Sequence, residues 1–244
     1  MSERLAIVSD IHANLDALDA VLADIDRIGA DRIVCLGDMV DVGPRPVATV
    51  ERLRARCDVI IGGNHDPLDE SPQTEFLADL AAWTRDQLAP PLRPWLSALP
   101  AEAVIELDGA SVWCVHGSPW STTDSVLPST PQTQLRAWMA GRQHDVLACG
   151  HTHVQLCRRV DDTVIVNVGS VGMPFLEPID GHRPPVVLPW AEYAMVTSDA
   201  GLTSIDLRRV PYDQDQLRRT VGDSGMPHGE QWLATIRKRT WQRR

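Results

Sequence analysis

Residues 5–29 read LAIVSDIHANLDALDAVLADIDRIG. Leu5 to Val8 is a short apolar run suited to a strand, and from Asn14 onward Leu15, Leu18, Val21, Leu22, Ile25 and Ile28 recur at helical spacing until Gly29 stops the pattern. The alternation repeats downstream. Ile33 to Leu36 is strand-like, Pro46 to Arg56 is helical with Pro in its first turn, and Val59 to Ile61 is strand-like again. A βαβαβ opening predicts an α/β fold with parallel strands.

Further along, the spacing predicts a helix from about Thr74 to Leu88 and then a Pro-rich link. Val104 to Leu107 and Val112 to Val115 flank Asp108-Gly109, a hairpin dipeptide. A helix over Gln132 to Ala140 precedes strands at Val146 to Cys149, Val154 to Arg158 and Val164 to Val166. Glu192 to Ser198 and Leu202 to Arg208 read as a last hairpin turning at Asp199-Ala200-Gly201. Neither an internal repeat nor a low-complexity tract interrupts the chain.

Six of the apolar runs end in residues able to do chemistry: Asp10, Asp38, Asn64-His65, His116, His151 and Asn167. In open α/β sheets the ligand site lies beyond the carboxyl ends of the strands, so these groups are expected to meet at one rim although they span over 150 positions.

Composition narrows the alternatives. The chain has 244 residues, a length suited to one large domain, and no apolar run approaches the ~18 to 20 residues of a membrane span. The N-terminus lacks the longer apolar stretch and small-residue cleavage site of a secretory signal. Five cysteines, at 35, 57, 114, 149 and 157, form an odd set without a C-x-x-C pair, which suits thiols in a reducing cytoplasm. The net charge of −10 argues against nucleic acid as a partner. Residues 208–244 nevertheless carry nine basic and four acidic residues, a basic tail on an acidic body. One domain over 1–244 is expected, with a basic helical segment at about 211–244. Trp232, Leu233 and Ile236 on one face of that segment would cover the body or meet a second copy in a homo-oligomer.

In order, the chemical groups are Asp10-Ile11-His12, Gly37-Asp38, Gly63-Asn64-His65-Asp66, His116-Gly117 and Gly150-His151-Thr152-His153, which take in five of the eight histidines. Any one histidine is most simply a hydrogen-bonded core or surface residue. As a set, imidazole, carboxylate and amide donors without a thiolate at the same strand ends suit a hydrolytic transition-metal centre such as Mn, Fe, Zn, Co or Ni, whereas a structural zinc site more often uses cysteines.

These motifs resemble the calcineurin-like metallophosphoesterase superfamily, with its D-x-H, G-D, G-N-H-D/E, H and G-H-x-H blocks at strand ends. SDIHANLDAL, GGNHD, and GHTH followed by NVGSVGMP are most similar to its compact bacterial and archaeal phosphodiesterase branch. The resemblance runs from about residue 5 to residue 210. It implies a four-layer α/β/β/α sandwich of two mixed β-sheets flanked by helices. It also implies two divalent metal ions, with Mn or Fe favoured: one held by Asp10, His12 and His153, the other by Asn64, His116 and His151, with Asp38 bridging. A hydroxide between the metals would attack phosphorus. His65 would stabilise the transition state and protonate the leaving oxygen, with Asp66 orienting its ring.

Asn167, Gly169 and Ser170 fall on a Gly-containing turn after a strand, where backbone N–H groups would either face the substrate phosphate or close a tight loop, and Arg45 is a further candidate for the phosphate. Protein phosphatases of the superfamily extend G-D into G-D-x-V-D-R-G. This chain has GDMVDVG, with Val42 at the Arg position and Arg45 three residues on. Trp120, four residues after His116, is an aromatic wall to watch, and the Pro-rich stretch Phe175 to Pro189 is expected to shape access. The expectation is a cytoplasmic phosphodiesterase acting on a small phosphate ester or nucleotide. Alternatives are a dinucleoside polyphosphate or phosphomonoester hydrolase, a nuclease, and a non-catalytic metal-binding interaction module.

Overall fold

A computed structural model describes residues 2–68, 74–88, 90–179 and 184–237. In chain order these form β1 (Glu3–Val8), α1 (Leu15–Ile28), β2 (Arg32–Cys35), α2 (Pro46–Arg56), β3 (Val59–Ile60), α3 (Glu75–Gln87), α4 (Leu92–Ser97), β4 (Glu102–Leu107), β5 (Ala110–Val115), α5 (Gln132–Trp138), β6 (Val146–Cys149), β7 (Leu156–Val160), β8 (Thr163–Asn167), β9 (Ala191–Asp199), β10 (Leu202–Val210), α6 (Gln214–Ser224) and α7 (Gly229–Ala234).

The strands assemble into two five-stranded sheets, ordered β10-β9-β1-β2-β3 and β4-β5-β6-β8-β7. Both are mixed. β1, β2 and β3 run parallel while β9 and β10 join antiparallel, and the parallel trio β5, β6, β8 is flanked by antiparallel β4 and β7.

Strand alternation explains the layers. Leu5, Ile7, Val34 and Leu36 point from the first sheet into a shared core with Leu107, Val112, Cys114, Val146 and Val166 of the second. Ala6, Val8, Ile33 and Cys35 point the other way, onto Leu18, Val21, Leu22 and Ile25 of α1 and Val50 and Leu53 of α2. Trp113, Val115, Leu147 and Cys149 pack against Leu135 of α5. Helix, sheet, sheet, helix is therefore the order across the molecule, the four-layer sandwich expected, and strands covered on both faces read as unbroken apolar runs. Asn14 caps α1 by accepting from the Ala17 N–H at 3.2 Å. Among the described residues no helix is long and apolar enough to cross a membrane.

Some expectations need correction. β7 starts at Leu156, two residues later than the apolar pattern suggested, because Thr152 to Gln155 are spent on the loop after β6. The Pro-rich link contains α4, in which Pro94 sits in the first turn, where its missing N–H had no helical partner to lose. The C-terminal segment forms two short helices separated by Gly225 in the left-handed region at φ 72°, and Ile236 lies past their end, bridged to Val187. Residues 238–244 lie outside the described residues, as does His182.

Candidate metal centre

The turns after β1, β2 and β6 place donors by leaving the strand abruptly. Asp10 (φ 53°), His12 (46°), Asp38 (51°), His151 (64°) and His153 (58°) all adopt left-handed backbone, a conformation that costs a non-glycine residue energy and persists only where its surroundings enforce it. Backbone bonds supply that enforcement. The N–H groups of Ile11 and His12 both donate to the Asp38 carbonyl, at 2.8 and 3.0 Å, and that of Asp10 donates to Gly37 O at 3.0 Å. Gly63 has no side chain for a steric reason, since a Cβ there would stand 2.2 Å from Asp38 Oδ1.

Two groups of donors result. The ligand atoms of Asp10, His12 and His153 lie within 4.8 Å of one another, and those of Asp38, His116 and His151 do the same. Asp38 Oδ2 sits between the groups, 3.8 Å from His12 Nε2 and 3.2 Å from His116 Nε2. Asn64 Oδ1 joins the second group, 3.0 Å from His116 Nε2 and 2.9 Å from His151 Nδ1. Two histidines are held from behind. His116 Nδ1 lies 2.8 Å from the Leu36 carbonyl and His153 Nδ1 lies 2.7 Å from that of Met173, so each Nδ1 donates and each Nε2 is turned inward as the ligand atom.

Facing acceptors are the test of fit for a cation. His12 Nε2 and His153 Nε2 stand 3.1 Å apart, and Asp10 Oδ1 is buried with no hydrogen bond among the described residues. Burial drives the His12 imidazole down to about 3, leaving it a neutral donor. For His116, burial opposes the charged form, but the Asp38 and Asp10 carboxylates outweigh it and raise the group to about 10. Burial likewise opposes the two carboxylates, yet the neighbouring imidazoles hold Asp10 down at about 2 and Asp38 well below the ordinary range. The cluster is thus two buried anions among nitrogen donors that require positive charge at their centre. An all-nitrogen and oxygen set of this kind fits divalent transition metals.

His65 lies beside this cluster, its ring centroid 5.1 Å from that of His12. Its Nδ1 is 2.8 Å from Asp41 Oδ2. Asp66, expected to orient this ring, is turned elsewhere: its carboxylate accepts from the backbone N–H groups of Asp38, Met39 and Gly63, each at 2.8 Å. Asp41 went unrecognised in the sequence, although its place in GDMVDVG, three residues after Asp38, was the available signal.

Of the turn's two expected uses, the side chains of Asn167 and Ser170 serve loop closure. Asn167 is fully buried, with Nδ2 donating to Gly150 O at 2.6 Å and to Thr152 Oγ1 at 2.9 Å, while Oδ1 accepts from the Gly169 N–H at 3.0 Å. Ser170 Oγ donates to Asp10 O at 2.6 Å and accepts from the Met173 N–H. The side chains of Asn167 and Ser170 thus hold the loops that carry the ligands. Arg45 is exposed at the N-terminus of α2, its N–H donating to Ala13 O, one residue from His12. Trp120 is 71% exposed, but its indole donates to Trp138 O at the far end of α5, which directs it along that helix.

Two mixed sheets face to face, with an Asp/His cluster where their parallel strands end, define the metallophosphoesterase fold class. The chain belongs to the calcineurin-like phosphoesterase superfamily, whose domain model matches residues 4–183. The metallophosphoesterase of Sphaerobacter thermophilus superposes with a TM-score of 0.74 at 29% identity, over 96% of this chain and 99% of that one. The uncharacterised protein MJ0912 of Methanocaldococcus jannaschii is 26% identical over 94% of this chain and 95% of its own. The phosphodiesterase YfcE of Escherichia coli K12 is 27% identical over 80% of this chain and 88% of its own.

Proposed function

We propose that this hydrolase is a dinuclear metal-dependent phosphodiesterase for small phosphodiester or nucleotide-like substrates, working in the cytoplasm as a single unit over residues 1–244. The observation that carries the reading is the position of Asp38 Oδ2 between two separate donor groups, because a carboxylate shared in this way offsets repulsion between neighbouring cations. Asp10, His12 and His153 would hold one ion, Asn64, His116 and His151 the other, and Asp38 both. Mn or Fe is the favoured occupant. Such a pair, when bound, polarises phosphate oxygens and supplies hydroxide near neutral pH.

The chain's own groups do the rest. His65, exposed enough to meet a substrate, carries a proton on Nε2 for the departing oxygen, and Asp41 fixes the ring by accepting from Nδ1. The strained pair Asp41 and Val42, at φ 67° and 63°, aims that carboxylate, with Oδ1 taken by the Val42 N–H at 2.8 Å. Asn64 is neutral, which leaves the second site more electrophilic than a third carboxylate would. Val42 is buried where the protein phosphatases of this superfamily carry their phosphate-gripping Arg, which favours small esters over phosphoproteins.

The test is hydrolysis of bis(p-nitrophenyl) phosphate and p-nitrophenyl phosphate by protein supplied with Mn. Faster turnover of the diester, lost in both Asp38→Ala and His65→Ala, supports the proposal. Full activity in purified Asp38→Ala overturns it, and faster monoester turnover moves the assignment to a phosphomonoester hydrolase.

A further inference from the structure

Beyond the sheet cores lies a satellite apolar cluster built by α3, α6, α7 and the loop after β8. Val42, Leu80, Met173, Phe175, Leu217 and Trp232 are among its buried members. α6 and α7 follow β10, the last strand of the first sheet, and join α3 in this cap.

Three of its members reach the centre. The Val42 N–H holds Asp41 Oδ1, and the other oxygen of that carboxylate faces His65. Met173 O receives His153 Nδ1 at 2.7 Å. Phe175 stacks on the His153 ring, with centroids 4.3 Å apart and planes at 20°, and its N–H donates to His153 O at 2.9 Å.

The residues just past α7 are sewn onto this loop. Phe175 bridges to Val187, the Val187 N–H donates to Thr235 O at 3.0 Å, and the Arg237 N–H donates to Val187 O at 2.8 Å. His228 closes the other side of the cap, its Nε2 2.8 Å from Asp79 Oδ2 on α3. A β-branched residue such as Val42 keeps a left-handed backbone only when packing over-determines it, and this cluster supplies the packing. Trp232 is 1% exposed, and its indole N–H has no hydrogen-bond partner among the described residues.

We infer that the C-terminal cap is part of the support of the metal centre, and that Trp232 is a positioning residue acting on His153 through Met173 and Phe175 and on His65 through Val42 and Asp41. The inference rests on the reading of the Asp/His cluster as a metal centre. Removal of the Trp232 ring loosens the backing of one ligand, the kind of change that weakens metal affinity by about 10-fold to 100-fold.

The experiment is calorimetric titration of the full-length, chelator-treated protein with Mn, together with kcat and KM on bis(p-nitrophenyl) phosphate. Trp232→Ala is expected to bind one Mn at least about 10-fold more weakly and to lose kcat with little change in KM. Trp232→Phe, which keeps an aromatic ring in the cap, recovers most of the affinity. Phe175→Leu, which keeps apolar volume but removes the stacked ring, gives the same loss, and it alone decides the matter if Trp232→Ala fails to fold. A folded Trp232→Ala or Phe175→Leu protein with wild-type Mn affinity overturns the inference and leaves the metal-centre reading intact. A wild-type chain that takes up no Mn overturns both.

Discussion

His65 Nδ1 meets Asp41 Oδ2 at 2.8 Å, while the carboxylate of Asp66, the next residue along the chain, accepts from the backbone N–H groups of Asp38, Met39 and Gly63. Two acidic residues near one histidine therefore have separable duties. Asp41→Asn keeps the shape but no longer balances a charged imidazole, so kcat on an aryl phosphodiester is expected to fall by about 10²-fold. Metal content by elemental analysis should stay at the wild-type level.

Asp66→Ala should act on stability instead. It strands the N–H groups of Asp38, Met39 and Gly63 in a buried place, and unmet buried donors cost about 1–3 kcal/mol each. Urea unfolding is expected to show a loss on the order of 3 kcal/mol or more. A loss below about 1 kcal/mol would contradict this account of the carboxylate.

Cation binding should stabilise the folded chain, since the donors come together only there. Mn at 100 times its dissociation constant adds about 2.7 kcal/mol for a single site, read as a rise in Tm that a chelator reverses. Asp38→Asn, which weakens a donor placed between both groups, is expected to abolish most of that rise.

Glu192, outside the two donor groups, supplies a further pH dependence. Burial raises its carboxyl to about 7, with the Trp190 indole and Arg209 offsetting only part of the effect. The folded state therefore binds this proton more tightly than the unfolded chain. The stabilising contribution is complete below about pH 4.3, the unfolded value, and is lost as pH rises through about 7. Glu192→Gln should flatten the decline in stability between pH 5 and pH 8 measured by urea titration, and should be the more stable form at pH 8.

Much of the architecture was legible because it depends on short-range chemistry. Apolar runs such as Leu5 to Val8 and Val146 to Cys149 can only be strands covered on both faces, and the helical spacing from Leu15 to Ile28 is closed by a glycine that tolerates positive φ. The donor types at the strand ends were equally plain, since sheet topology carries strand ends to one rim wherever they fall in the sequence. Less legible were α4, where Pro94 read as a breaker, and the hinge at Gly225 that divides the C-terminal segment.

Direction was the missing information. Asp41 and Asp66 are both acidic residues close to Asp38 or His65 in the chain, and residue type cannot say which one faces the imidazole. That choice follows from the left-handed backbone at Asp41 and Val42, which is kept in place by packing against Met173, Leu217 and Trp232 from the far end of the chain. Asn167 and Ser170 likewise had two readings on the sequence, phosphate contact or loop closure. They point inward because Gly150 and Asp10, 17 and 160 positions away, present carbonyls that a buried side chain must satisfy. Residue identity and period sufficed for the elements and the donor set; the aim of each side chain awaited the long-range contacts that make one backbone conformation cheaper than its alternatives.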